Sequence, residues 1–156
     1  MKKKEFPLSI LELLDRNHIE YKHINNGSAI SIADFSKKQS VPYSSIVKAL
    51  VVKTPTGCVI AALSGDKRLS MEKLSAVLGF ARSSLSLLPK DSFESLVGVP
   101  IGATPPFGID MPLIIDRSLA CQNMIYCSGG TLVDIIGMKS ADFVMISKGS
   151  VEDIAE

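Results

Sequence analysis

The stretch SSIVKALVVKTPTGCVIAALSG (residues 44–65) decides how the chain folds. Two apolar runs flank Pro55, Thr56 and Gly57, and a proline and a glycine two residues apart punctuate the chain as a turn. The first run is rich in valine, which suits a pleated, buried surface. Together they predict an antiparallel hairpin built into the core. One residue breaks the pattern. Lys48 interrupts the apolar run, and an ammonium buried there without a partner would be costly. Either the strand lies at an edge, where a lysine blunts the sheet or snorkels to water, or the cation stands at a cleft floor and meets an anionic ligand. Lys53, on the opposite pleat and near the turn, is expected in solvent.

Outward from the hairpin, the punctuation predicts helices and strands in irregular alternation. FPLSILELLDRNHIEY places apolar residues at Ile10, Leu11, Leu13 and Leu14, the stripe of a helix that ends near Asn17. IEYKHI is the short strand after it. Ser31 is the expected N-cap of a helix reaching Gln39, with Asp34 where a capping box carries Glu. Ser70 and Gly79 bracket another helix, and KDSFESLVG another, closed by glycine. ARSSLSLL, MPLIID, NMIYCSG and TLVDIIG are strand candidates, and KSADFVMIS is the expected last helix. This is an α+β pattern, read as one domain over residues 1–156 with no internal repeat.

Composition narrows the function classes. The 156 residues carry a formal net charge of +1, with 46% apolar residues. A broad basic field for gripping long nucleic acids is absent, although contact with a few phosphates needs none. No apolar window is long enough to predict a membrane span. The basic start MKKKEFPLSI lacks the apolar run of a secretory signal, because Glu12, Asp15 and Arg16 interrupt the next apolar stretch. Cys58, Cys121 and Cys127 are odd in number and fit no zinc or disulfide spacing, so a reducing cytoplasm is expected and each cysteine reads as a small buried hydrophobe. No clustered Cys/His set or H-E-x-x-H motif predicts a metal, and no G-x-x-x-x-G-K-[ST] motif predicts a nucleotide cofactor.

The heptapeptide GATPPFG (residues 102–108) suits neither helix interior nor central strand. It is either a structural turn or a rigid frame that holds the amides of Gly102, Ala103 and Thr104 toward a ligand, with Pro105 and Pro106 limiting motion behind them. Phe107 either stacks on a base or anchors the loop in the core. Ser128, in CSGG, lacks a nucleophile elbow, and only His18 and His23 are available as bases. It therefore reads as a hydrogen-bond donor to a ligand, not a nucleophile.

Taken in order, SSIVKALVVKT, VIAALSGDKRLSMEKLSAVLG, VGVPIGATPPFGIDMPLIIDRSL and IYCSGG resemble the YbaK/ProX family of aminoacyl-tRNA deacylases. That family is related to the editing domain inserted in bacterial prolyl-tRNA synthetases. The resemblance runs from about residue 21 to residue 147. It implies a mixed, strongly bent β-sheet with surrounding helices and a substrate cleft beside the loop. It also implies hydrolysis of the ester joining a wrong amino acid to the terminal adenosine of tRNA, in trans, with cysteinyl- or alanyl-tRNA for proline as the expected substrates. By the same resemblance, Lys48, Gly102, Ala103 and Thr104 are the catalytic candidates. Tyr21, His23, Pro105, Pro106, Phe107, Ser128, Gly129 and Asp134 are the substrate-binding ones. Asp134 stands in for an acidic residue found near the cleft in some relatives. The chain departs from the family after SGG, where TLVDII replaces basic residues and a further glycine. The expected partners are the tRNA acceptor end and prolyl-tRNA synthetase, without metal or cofactor. A non-catalytic module that binds the tRNA 3′ end or a synthetase, and a hydrolase of some other small acyl ester, are the rival readings.

Overall fold

A computed structural model describes residues 6–25, 27, 31–99 and 103–156, and the side chains among them except those of residues 6–9 and 90. In chain order the elements are α1 (Phe6–Arg16), β1 (Tyr21–Asn25), α2 (Ile32–Gln39), β2 (Val47–Thr54), β3 (Gly57–Ser64), α3 (Met71–Leu78), β4 (Ser86–Leu87), α4 (Lys90–Val97), β5 (Leu113–Asp116), α5 (Arg117–Ala120), β6 (Met124–Ser128), β7 (Asp134–Lys139), α6 (Ser140–Ser147) and β8 (Ser150–Glu152). The caps stand where the sequence puts them. The Asp34 N–H donates to Ser31 Oγ, the Lys73 N–H donates to Ser70 Oγ, and Gly79 and Gly98 end α3 and α4 in the left-handed region. ARSSLSLL differs from expectation. It forms a 3-10 turn at Arg82–Ser84 and only a two-residue strand. TLVDIIG becomes strand only from Asp134, because Thr131 folds the preceding residues into a turn.

The hairpin forms as expected, β2 against β3, from Val47↔Ser64 to the closing pair Thr54↔Gly57. β5 adds parallel to β3 and β8 parallel to β5, so the larger sheet is mixed, in the order β4-β2-β3-β5-β8. A second, antiparallel sheet runs β1-β7-β6. A bridge between Ile46 and Tyr126 joins the two just before β2 begins, which gives the bent, mixed arrangement. The larger sheet has an apolar core on each face. On one, Val51, Ile60, Ala62 and Ile115 pack with α1, α4, α6 and the inner residues of β6 and β7. On the other, Val52, Val59, Ala61 and Ile114 pack with Leu74 of α3, Leu85 and Ile154. Alternation along β2 thus sends Val47, Ala49 and Val51 to the first core, and Lys48, Leu50 and Val52 to the second.

Candidate functional site

A cavity of about 430 Å³ opens along the N-terminal half of β2, lined by Val47 to Val51, Ser31, Ile32, Leu87, Leu88, Phe93, Thr104 and Ser128. It exists because β4 is so short. β4 pairs with β2 only at Val52 and Lys53, and the Leu88 N–H reaches the Val51 carbonyl at 3.0 Å. Before that point β2 is a sheet edge facing the cleft. Val47 to Leu50 are accordingly half-exposed, whereas Ala61 to Ser64 opposite them on β3 are fully buried.

Lys48 stands on the rim. It lines the main cleft and also a shallower cavity on the other side of the β2 edge, together with Leu50, Arg68 and Leu87. Its ammonium donates to the Lys67 carbonyl. The first half of the sequence-based alternative applies: the strand is an edge at this residue, and the lysine stands at the cleft's rim and not on its floor. Lys53 is exposed, as expected.

The heptapeptide divides. Gly102 lies outside the described residues. Thr104 lines the cleft. Ala103, Pro105, Pro106 and Phe107 are buried, and none of them lines it. Phe107 packs against Phe143 with ring centroids 6.1 Å apart, inside the first core. The expectation that Pro105, Pro106 and Phe107 contact substrate is thus corrected: they wedge the loop into the core, and Phe107 presents no free face to a base. Their apolar bulk is worth more out of water than at a polar site.

Ser128 lines the cleft from the end of β6, but its hydroxyl hydrogen goes to the Ala103 carbonyl at 2.7 Å. The same oxygen accepts the Gly130 N–H at 3.1 Å. Ser128 therefore ties the β6–β7 turn to the heptapeptide instead of presenting a free donor. Behind it, the Gly129 N–H donates to the Asp134 carbonyl at 2.7 Å, and a Cβ on Gly129 would come within 3.2 Å of the Asp134 Cβ. The Asp134 carboxylate accepts from Thr131 Oγ1 at 2.6 Å and meets His23 Nε2 at 2.8 Å. The Thr131 bond lowers the Asp134 pKa most; partial burial opposes it, and His23 lowers it further. His23, for which the sequence offered no partner, thus has one 111 residues away. Gly129, Asp134 and His23 support the Ser128 turn and do not line the cleft.

Tyr21 stands apart. Its hydroxyl donates to Asp15 Oδ1 at 3.0 Å, and its ring lines a different cavity with Lys22, Met124 and Gly137. Burial, then the Asp15 bond and charge, raises its phenol pKa. Tyr21, expected to bind substrate, does not line the cleft that holds Lys48, and that expectation is corrected. Cys127 is buried as expected, with its thiol pushed up to about 12 by burial, and Cys58 is half-buried. Cys121 is exposed, contrary to expectation, because it comes just after the short helix α5 at the surface. Among the described residues no cluster of His, Cys, Asp or Glu is placed to hold a metal, and no helix is long and apolar enough to cross a membrane. The sequence reading missed the lining residues Ser31, Ala49, Leu88 and Phe93. Ser31 was visible only as a helix cap, and the others only as apolar residues of predicted elements, so their common wall arises from tertiary packing.

Residues 27–146 match the model of the aminoacyl-tRNA editing domain family. A proline–tRNA ligase of Thermosipho africanus is 41% identical over 76 residues, 49% of this chain and 13% of the ligase. The chain spans less than a fifth of the length of the proline–tRNA ligases it matches. Among solved structures, a hypothetical protein superposes with a TM-score of 0.87 at 22% identity, covering 95% of this chain and 99% of that one. Another, described as a candidate trans-editing enzyme for prolyl tRNA synthetase, gives 0.83 at 19% identity and covers 99% of both. These likenesses show a shared α+β fold, a mixed bent sheet with surrounding helices.

Proposed function

This chain belongs to the aminoacyl-tRNA editing domain family, and from that premise we propose that it is a trans-acting deacylase acting in the cytoplasm on mischarged tRNA. Residues 1–156 work as one deacylase domain, with cysteinyl- or alanyl-tRNA for proline as substrate and prolyl-tRNA synthetase as the enzyme whose errors it corrects. The observation that carries the reading is the convergence of Lys48, Thr104 and Ser128 on one cleft, from segments 24 to 80 residues apart, inside the family match. The cavity has room for an amino acid and part of a ribose.

The tRNA 3′ end enters past Lys48. Because the ammonium points over the β2 edge toward Lys67 and Arg68, its charge serves a phosphate at the cleft mouth and not the ester carbonyl. An ammonium that donates once to a carbonyl keeps two donors for phosphate oxygens. The ester lies deeper, between β2 and Thr104. Among the described residues Lys48 is the one titratable side chain in the cleft lining, so none of them is a base for the attacking water there. An aminoacyl ester is already labile, and a free ribose hydroxyl of the substrate orients the water. Where the amino acid is cysteine, its own thiol attacks the ester carbonyl instead. The work left to the protein is positioning and stabilisation of the carbonyl oxygen as it gains charge.

The test is single-turnover deacylation of a panel of mischarged tRNAs, run with and without chelator. The expected result is release of cysteine or alanine from tRNA for proline, at rates the chelator leaves unchanged. A wild-type protein that binds these tRNAs and releases nothing would mark a non-catalytic binding module, and the enzymatic reading would fall.

A further inference from the structure

We propose that the main chain of Ala49, on the bare edge of β2, holds the aminoacyl group as one added β-residue, its N–H on the ester carbonyl and its C=O on the α-ammonium. This rests on the deacylase reading above and names the groups that would recognise the scissile end.

The register of the sheet carries the inference. In a two-residue hairpin the closing pair exchanges hydrogen bonds, so Thr54↔Gly57 assigns Thr54, Val52, Leu50 and Lys48 to bonds with β3. The alternate residues point their N–H and C=O the other way. The Leu88 N–H on the Val51 carbonyl, at 3.0 Å, marks that side independently. Ala49 therefore turns both main-chain groups outward. β4 stops at Val52, and among the described residues no hydrogen bond engages the Ala49 N–H or C=O on that side. Ala49 is half-exposed and lines the cavity.

An antiparallel hydrogen-bonded pair needs an amine donor and a carbonyl acceptor from the same residue. An α-amino acid esterified through its carboxyl keeps both. An acyl ester without the α-ammonium keeps only the acceptor. A residue paired directly with Ala49 also sends its side chain to the same face of the sheet, which is the face of the first core, where Phe93 and Thr104 line the cleft. Apolar walls there suit a small, uncharged side chain.

The same geometry addresses the chemistry. Water adds to the ester carbon, the carbon–oxygen bond to the ribose breaks, and the proton lost by the water ends on the ribose oxygen that leaves. Between those events the carbonyl oxygen carries negative charge. A main-chain N–H fixed by the β2–β3 ladder meets that charge without reorganising. Lys48 does not compete for the role, because its ammonium is on the other face.

The experiment uses the whole chain. ¹⁵N NMR would follow the amides on titration with 3′-deoxy-3′-(L-alanylamino)adenosine, which keeps the α-ammonium and carbonyl but resists hydrolysis. The Ala49 amide is expected to shift and to exchange at least about tenfold more slowly, as a newly buried hydrogen bond does, while Leu50, already bonded to β3, changes little. In parallel, lactic acid replaces Ala49, exchanging only its N–H for oxygen. kcat/KM for deacylation should then fall about 100-fold, as for loss of one oxyanion donor. The melting temperature should fall only slightly, because that N–H serves no sheet bond and the one change to the ladder is a weaker Lys48 carbonyl acceptor toward β3. An analogue that shifts Thr104 and Ser128 but leaves Ala49 unmoved overturns the inference. So does a lactate-substituted protein as fast as wild type. Either result leaves the deacylase reading standing, whereas a wild type inert toward every ester, with no response to the analogue, removes both.

Discussion

The Lys48 ammonium crosses from the cleft rim to the Lys67 carbonyl, and that position sets what its removal should do. A phosphate contact binds ground state and transition state alike, so its loss weakens capture more than chemistry. Lys48→Ala should therefore lower kcat/KM about 10- to 100-fold, chiefly through KM, from the worth of one charge-assisted hydrogen bond. Stability should change by less than about 1 kcal/mol, since the side chain is half-exposed and makes no ion pair within 4 Å among the described residues. Single-turnover and steady-state kinetics with circular dichroism check both points; equal kinetics for the two proteins would take Lys48 out of the site. At Gly129 the expected cost is structural. An added Cβ would stand 3.2 Å from the Asp134 Cβ and 3.3 Å from its carbonyl oxygen, with backbone that cannot swing aside. Gly129→Ala should cost about 1–3 kcal/mol by denaturant unfolding, the usual range for overpacking.

Among the elements, the shortest are the least legible in sequence and the most tightly tied. α5 is one turn long, and its N-cap Asp116 is buried. The Asp116 carboxylate accepts the Ser118 N–H at 3.0 Å, the Ile154 N–H at 2.9 Å and the Ala155 N–H at 3.0 Å, and so joins the end of β5 to the segment after β8. Burial raises its pKa, but bonds from Ser118, Ile154 and Ala155 outweigh burial and leave it lowered. A carboxyl with a lowered folded pKa adds stability that is fully present above its unfolded value, about 4, and is lost as pH falls through the folded value. Asp116→Asn should thus cost about 2 kcal/mol at pH 7. The gap from wild type should close as the pH drops below about 4. Urea melts of both proteins from neutral to strongly acidic pH would show it, and a gap constant with pH would place the cost in packing and not in charge.

For the molecule as a whole, the two cores hold the cleft open from opposite sides of one sheet. The first core also carries the heptapeptide, through Ala103 and Phe107. Phe107→Ala should therefore do two things at once. It should destabilise by about 3–5 kcal/mol, the range for truncating a buried phenylalanine. It should also loosen Thr104 and the Ala103 carbonyl that receives Ser128, and so lower deacylation even at temperatures where the protein stays folded. Thermal melts and activity below the transition, measured on the same samples, separate the two effects. Full activity in a destabilised protein would show that the cleft does not depend on that anchor.

What the sequence determined by itself is local. The β2–β3 hairpin comes from Pro55, Thr56 and Gly57 between apolar runs, and α2 and α3 from Ser31, Ser70 and Gly79, because turn and cap chemistry acts within a few residues. The likeness of ordered segments placed the chain in its family and pointed to Lys48, Gly102, Ala103, Thr104 and Ser128 as site residues, of which Lys48, Thr104 and Ser128 line the cleft among the described residues. Tertiary structure alone decided the rest. The sequence does not say that β4 stops after two residues and leaves Ala49 on a bare edge. Nor does it say that Phe107 faces the core, that Tyr21 turns to Asp15, or that His23 meets Asp134 across 111 residues. Each of these is decided by how segments pack once the chain has folded back on itself. A side chain with two physically acceptable environments carries no local mark of which it will occupy; the choice is made by what packs against it once the sheets have formed.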